Sequence, residues 1–250
     1  MRSRMIYFVA LDDTDNKDSR GTGFKSRELG KLIHEKNLGS VESISRHQLF
    51  VHEKIAYTSQ NSSACLIVKS DKYEELRDLC ENYLIDVAEI GSDAGLCIAR
   101  EDQINEIILD WGNRAKKEIL FKEDAYKIAH EAGIFLRGYT GEKIGVIGSL
   151  AAIGLRKGGN DGRNIWLKGH ELRDLKGVYQ IKELKRIINI QAVVTKDGAH
   201  VNENERVEVG EWLRPAIKNN LNTAIVEQNK NGEDYEWKCV SKDYIKSISD

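Results

Sequence analysis

Three carboxylates, Asp12, Asp13 and Asp15, stand within four positions of one another, directly after the continuous apolar run from Met5 to Leu11. Carboxylates this close raise one another's pKa unless a cation or hydrogen-bond donors compensate. Mg²⁺ held together with phosphate oxygens needs only one or two carboxylates and several waters. Open α/β sheets, moreover, place their ligands beyond the carboxyl ends of strands. The string fits a metal-holding strand end. It fits equally well an exposed turn whose Asp and Asn side chains cap the next helix or close Asx-turns.

A third option is a phosphatase of the haloacid-dehalogenase type, with Asp13 as nucleophile and Asp15 as acid. That chemistry expects a small residue and a hydroxyl after the second Asp, where Asn16 and Lys17 stand. The second segment with chemical potential is the run from Gly141 to Gly154, in which Gly145, Gly148 and Gly154 punctuate Ile, Val, Leu and Ala. Glycine near a helix start lets backbone N–H groups approach a phosphate, and the positive end of the helix dipole favours the anion. Lys143 just upstream offers a charged contact. Close packing of the same small residues against a sheet explains the pattern as readily.

Weaker candidates are scattered along the chain. Arg46, His47 and His52 read as solvated or satisfied side chains before they read as bases. Arg214, between Trp212 and Pro215, suits a bidentate phosphate clamp or a surface ion pair. Lys176, Lys182, Lys185 and Arg186 look like a solvated helix face. Arg156, Lys157 and Arg163, in the Gly-rich loop that also carries Asp161, suit a polyphosphate or RNA contact.

The elements that must position these residues follow from periodicity. Met5–Leu11 reads as a buried strand. Helices are expected over about 26–36, 73–83, 102–120, 122–132 and 182–188, the first with Leu29, Leu32 and Ile33 on one face. A further helix is expected within 141–154. Further strands are expected at 41–45, 64–69, 96–100, 164–168, 190–196, 206–209 and 223–228. This is a mixed α/β, α+β pattern with a βαβ-like stretch from 64 to 120.

The chain has 250 residues, with 38 Lys+Arg against 40 Asp+Glu, so the net charge of -2 gives a phosphate-driven nucleic-acid binder no support. The four cysteines, Cys65, Cys80, Cys97 and Cys239, lack the paired spacing of a zinc ribbon, and Cys65 and Cys97 sit in apolar runs as small buried residues do. The basic, briefly apolar N-terminus ends in acid, unlike a signal peptide, and no run approaches the roughly 20 apolar residues of a membrane helix. A cytoplasmic protein is expected, with no membrane or DNA partner.

Taken together and in order, the two main segments resemble those of the archaeal isoleucine-tRNA agmatinylcytidine (agmatidine) synthetases. That family opens with a strand ending Asp-Asp-Thr-Asp, matched by Asp12-Asp13-Thr14-Asp15. Its later Gly-Leu-Ile-Gly-Ala segment is similar to Gly145-Val146-Ile147-Gly148-Ser149, continuing to Gly154. Between them, Ile55 to Ala64 is similar to a family segment whose Asn aligns with Asn61. The resemblance covers about 5–228 and implies a kinase-like nucleotide-binding domain formed by 1–62 and 121–228. It further implies a ferredoxin-like insertion at 63–120, with 229–250 as a C-terminal extension.

For function, the resemblance implies ATP with Mg²⁺, which Asp12, Asp13 and Asp15 would hold as catalytic and metal residues. Asn61, Lys143, Gly145, Gly148 and Ser149 would contact the nucleotide. The implied activity is ATP- and Mg²⁺-dependent phosphotransfer or ligation of the kind that activates a tRNA cytidine. The alternative is a nucleotide-sensing or partner-binding module that kept the fold without the chemistry. Phe24 and Lys25 stand where the family has a threonine pair, and Thr22 lies two places early. The family's arginine before its glycine run falls near Ile144, and its Arg-Gly before the Asn is replaced by Ser59-Gln60. No counterpart of its RNA-binding OB-fold and zinc ribbon is recognisable, so agmatidine synthesis unaided is not expected. The remaining partners are tRNA or a separate RNA-binding subunit.

Overall fold

The computed structural model describes residues 4–55, 57, 60–230 and 233–249. Its contacts divide the chain into two compact units, one ending at Gly158 and one beginning at Gly159.

The first unit runs β1 (Met5–Asp12), α1 (Thr22–Glu35), β2 (Ser40–Gln48), β3 (Ser62–Ser70), α2 (Tyr73–Val87), β4 (Gly95–Arg100), α3 (Glu106–Arg114), α4 (Lys122–Glu131), β5 (Phe135–Gly138) and α5 (Gly145–Gly158). Its sheet has the order β5-β4-β1-β3-β2, and every neighbouring pair is antiparallel. Strand β1 lies at the centre, Ala10 pairing with Cys65 on one side and Cys97 on the other. Both faces are covered. Phe8, Ala10, Cys65, Ile67, Cys97 and Ala99 meet α3, α4 and α5 in one apolar cluster. On the other face, α1 lies over the sheet where Gly30 comes close to Ile44. Two covered faces explain why the β1 sequence is continuously apolar rather than alternating. They also fix direction, because residues of one parity on β1 point toward α5. Asp12 belongs to that parity.

Helices α3 and α5 cross tightly. A Cβ on Gly154 would fall 2.0 Å from the Ile108 carbonyl oxygen, and one on Gly112 2.8 Å from the Leu155 nitrogen. Of the three glycines of the α5 run, Gly154 is thus a packing residue.

The expected insertion at 63–120 has no boundary here. It would contain β3 and β4, the two strands between which β1 is sandwiched, so it cannot close a sheet without residues 5–12. The single helix expected over 102–120 is also divided. A 3-10 turn at Glu101–Gln103 precedes α3, which starts where the Asn105 side chain accepts the Ile107 and Ile108 amides. Asn is a strong N-cap, which resets the helix.

The second unit runs β6 (Arg163–Leu167), β7 (His170–Glu171), β8 (Val178–Gln180), α6 (Ile181–Ile188), β9 (Ala192–Thr195), β10 (Arg206–Glu208), β11 (Ala216–Lys218), β12 (Leu221–Gln228), β13 (Trp237–Cys239) and α7 (Lys242–Ser249). Within it the strands follow the order β6-β11-β12-β13-β10-β8, with β7 on β6 and β9 on β12. Ile181, Leu184 and Ile188 of α6 enter its core with Leu167, Val193 and Val226. The expected extension 229–250 is built in, since β13 pairs with both β12 and β10. Among the described residues no helix is long and apolar enough to cross a membrane.

Candidate functional site

Three loops of the first unit meet at the carboxyl end of β1: the one after it, the one before β4 and the one before α5. They are tied by a hydrogen bond between the Ser92 and Thr140 hydroxyls (3.1 Å), by the Ala94 amide donating to Thr140 Oγ1 (2.8 Å) and by the Gly145 amide donating to the Asp93 carbonyl (2.8 Å). They border a cavity of about 350 Å³, within the ordinary range for small-ligand sites.

The acidic string does not point one way. Asp13 sits in the left-handed region with φ 48°, and this kink separates its neighbours. Asp12 is buried and lies over the first turn of α5, so close that a Cβ on Gly148 would fall 1.9 Å from its Oδ2. Asp13 accepts the Asp93 backbone amide. Asp15 turns to α1, where its Oδ1 accepts from the Thr22 amide (2.8 Å) and the Thr22 hydroxyl (2.9 Å). That helix has Gly21 at its N-cap position with no side-chain cap of its own, so a distant carboxylate satisfies one of its orphan amides and its dipole.

Burial, with Asp13 next in importance, pushes the Asp12 carboxyl well above the usual range. Burial, and then the neighbouring carboxylates Asp93 and Asp15, push Asp13 up to about 6. No lysine or arginine offsets either shift, so both carboxyls hold their protons to higher pH than a solvated carboxylate does. Lys54 and Lys122 border the cavity, against Asp12, Asp13, Asp15, Asp93, Glu118, Glu123 and Glu142. Lys122 is already engaged, its Nζ donating to the Glu142 carbonyl (2.8 Å).

Gly145 and Gly148 line the same cavity as the three aspartates and Asn61. Glycine at 145 is a requirement of packing, since a Cβ there would meet the Asp93 oxygen at 2.5 Å, the Gly95 nitrogen at 2.8 Å and the Asp12 carbonyl at 2.9 Å. The first amides of α5 are used inside the fold: Gly145 bonds Asp93, Val146 bonds the Lys143 carbonyl (3.4 Å) and Ile147 the Ile144 carbonyl (2.9 Å). The helix start therefore offers an anion its dipole more than unclaimed N–H groups.

Lys143 and Ser149 do not line the cavity. Lys143, at φ 62°, gives its amide to Asp93 Oδ1 (3.0 Å), and its side chain lies against Gly138. Ser149 is fully buried and donates to the Val146 carbonyl (3.2 Å). Asn61 is largely structural, its amide nitrogen donating to the Phe50 carbonyl (2.6 Å). Ala56, Thr58 and Ser59 of the segment around it lie outside the described residues.

Lys25 is buried, its Nζ donating to the Thr14 and Val87 carbonyls (2.8 and 2.6 Å) and to Glu89 (2.9 Å). Phe24 packs against the guanidiniums of Arg20 and Arg27. Thr22, two places earlier, does reach the cavity. Arg156 and Lys157, expected in a loop, lie in the last turn of α5, and Arg163 opens β6, so these residues are not a free cationic loop either. Arg163 is buried and bonds Ser249 Oγ (3.1 Å), while Lys157 pairs with Glu101 (2.9 Å). His47 is wholly buried and bonded to Ser45 (2.8 Å). Cys65, Cys80 and Cys97 are free and buried, Cys65 pushed up to about 12 by burial.

Sequence reasoning missed Asp93, the fourth carboxylate, which lies in a short Gly-Ser-Asp-Ala-Gly loop with no local signal. It also missed the apolar rim, where Phe121, Ile144, Tyr57 and Ile119 are partly or largely exposed at the mouth.

No protein-family model matches the chain, and no curated protein matches it with significance. Solved structures do match. Apo TiaS, a tRNA agmatidine synthetase, superposes with a TM-score of 0.54 at 15% identity over 98% of this chain and 54% of that one. The complex of TiaS with its tRNA and ATP gives 0.54 at 22% identity, over 60% and 36% of the two chains. A tRNA fluorescent labeling enzyme gives 0.53 at 23% identity over 60% and 36%. The chain shares the TiaS fold. It spans about a third to a half of the length of those chains. At these identities the TiaS likeness speaks for architecture, an α+β fold of the same type, and the chemistry rests on the cavity.

Proposed function

We propose that the first unit binds ATP with Mg²⁺ in this cavity and serves as an ATP-dependent RNA-modifying module that activates a nucleotide for attack. One observation carries the reading: the carboxylates at the end of β1 and the glycine-edged start of α5, more than a hundred residues apart in sequence, border one cavity. The complex of TiaS with tRNA and ATP, which has this fold, agrees with it.

The donor set suits magnesium better than a closed metal site. Among the described residues no three His, Cys, Asp or Glu side chains converge on one point. Magnesium keeps its waters and takes one or two carboxylates plus substrate phosphates. Asp13 and Asp12 would hold it, and a divalent cation would favour the ionised form of both carboxyls, whose pKa values burial raises. When bound, the metal supplies charge neutralisation for the phosphates.

The chain's own residues do the positioning. Asp15 fixes the start of α1 through Thr22, and Asp93 clamps the turn into α5 by accepting the Lys143 and Gly145 amides. The dipole of α5 faces the phosphates, and the rim of Phe121, Ile144 and Tyr57 excludes water and offers apolar surface to a base. Phosphoryl transfer asks little covalent work of a protein beyond such positioning.

A second reading, binding without transfer, draws on Lys25 and Phe24. Both are committed to structural contacts where the resembling family carries its threonine pair. Calorimetry of ATP with and without Mg²⁺, on wild type and Asp13→Asn, tests the site. Magnesium-dependent affinity that the substitution abolishes, with unfolding unchanged, is the expected result. Equal affinity in both proteins disposes of the assignment. Transfer of labelled γ-phosphate to RNA separates the enzyme from the binding module.

A further inference from the structure

Ionised phosphate oxygens only accept hydrogen bonds, so a cavity that grips a polyphosphate must offer donors. The side-chain donors bordering this cavity fall into two sets. One set is engaged inside the fold. The Thr22 hydroxyl donates to Asp15 (2.9 Å) and the Asn61 amide nitrogen to the Phe50 carbonyl (2.6 Å). The Lys122 ammonium donates to the Glu142 carbonyl (2.8 Å) and lies 3.8 Å from the carboxylate of the same residue. The opening amides of α5 are engaged as well.

The other set is Lys54, Tyr57, Gln60 and Ser62, whose side chains have no hydrogen-bond partner among the described residues. All four come from one stretch of chain, between the end of β2 and the first residue of β3. Lys54 and Lys122 are the basic members of the described lining, so Lys54 is its one cation without an internal partner. Its backbone is fixed. The Phe50 amide donates to the Ala115 carbonyl (2.9 Å), and a turn follows in which the Ile55 amide donates to the His52 carbonyl (3.0 Å) and the Lys54 amide to His52 Nδ1 (3.2 Å). The His52 ring packs on Phe50, with centroids 5.5 Å apart. From this fixed turn an exposed, flexible stem carries an ammonium with three N–H donors, which can meet phosphate oxygens from several directions. A triphosphate keeps negative charge even with magnesium bound, and the acids of the cavity oppose it.

We propose that Lys54, with Gln60 and Ser62 as neutral donors, grips the polyphosphate and sets the specificity of the cavity, so that affinity rises from AMP through ADP to ATP. The proposal rests on the reading of the cavity as a magnesium–nucleotide site and names what holds the phosphates there.

The test is calorimetry on the full chain with ATP, ADP and AMP at saturating magnesium, and with inorganic triphosphate as a probe that has no base. K54Q is expected to weaken ATP roughly tenfold, the worth of one charge-assisted contact, ADP by a smaller factor, and AMP hardly at all. K54R, which keeps the charge, is expected to stay near wild type. Because Lys54 is exposed, the unfolding temperature should not move, so the loss is not one of folding. Wild-type affinity for ATP in K54Q overturns the contact. A loss of the same size for all three nucleotides also overturns it, since a general field at the mouth would then account for the effect. K54Q should retain the magnesium dependence that Asp13→Asn removes. If Asp13→Asn loses that dependence while K54Q matches wild type, the nucleotide site stands and this grip falls. If wild type binds no nucleotide, triphosphate decides: binding that K54Q weakens supports the grip, and binding that is absent or unchanged in K54Q overturns it.

Discussion

Gly148→Ala is the sharpest probe of the cavity. The added Cβ would stand 1.9 Å from Asp12 Oδ2, 2.6 Å from its Cγ and 2.8 Å from Leu49 Cδ1. Ordinary contact begins at 3.4 Å, so the carboxylate must retreat by about 1.5 Å. It is a side chain and can rotate, at the cost of its place over the first turn of α5. Overpacking costs about 1–3 kcal/mol, and replacing a helical glycine by alanine returns up to about 1 kcal/mol. A net loss of about 0–2 kcal/mol corresponds to a fall in Tm of roughly 0–8 °C for a unit of this size. Affinity for magnesium–ATP should fall at least about tenfold, because one carboxylate has left the site.

Gly145→Ala is the control. Its Cβ meets only backbone atoms, at 2.5, 2.8 and 2.9 Å, and none of them can rotate away. Its cost should reach about 3 kcal/mol or more, with a Tm fall larger than that of Gly148→Ala. Differential scanning calorimetry and ATP titration on both variants decide the matter. Unchanged magnesium–ATP affinity in Gly148→Ala, or a milder loss of stability in Gly145→Ala than in Gly148→Ala, would refute the steric argument. Asp12→Ala added to Gly148→Ala removes the colliding carboxylate, so the two stability losses should be strongly non-additive.

Asp13 has a folded pKa of about 6, above its unfolded value, so ligand-free stability is greatest below about pH 4 and is lost as pH rises through 6. The full shift corresponds to about 3 kcal/mol, reduced to about 1–2 kcal/mol by solvent at this partly exposed site; urea unfolding from pH 4 to 8 should show it in wild type, and Asp13→Asn should flatten the curve. Lys25→Met leaves the Thr14 and Val87 carbonyls without their buried donor, and should cost about 2–4 kcal/mol in urea unfolding. A smaller loss, below about 1 kcal/mol, would mean that Lys25 is not the tie between α1 and the loop before β4.

How much of this was legible in the sequence differs from residue to residue. The apolar run of β1 and its acidic end could be read directly, because a strand covered on both faces has no alternation to disguise it. That Gly145 and Gly148 share a cavity with Asp12 needed only the family order. The contribution of Lys143 and Ser149 was misplaced for a physical reason. A left-handed residue at 143 reverses the chain just before α5 and turns the lysine toward Gly138. Asp93 carries no local signal at all, since it reaches the site through the pairing of β4 with β1. Strands β5, β7, β8, β11 and β13 went unread because two to four residues are too short for a period to show. The Asn105 cap was legible in principle, as a polar residue directly before an amphipathic run.

The central place of β1 has a consequence for the order in which the molecule is made. This strand leaves the ribosome before either of its partners, yet Met5 pairs with Ser70 and Tyr7 with Arg100. Until β3 and then β4 have emerged, Met-Ile-Tyr-Phe-Val-Ala-Leu is a sticky ribbon with at least one open edge, the kind of segment that aggregates or recruits a chaperone. Its closing acids behave in that interval as ordinary water-bathed carboxylates. Their altered acidity is acquired late in synthesis, when the α5 glycines arrive and shut the solvent out.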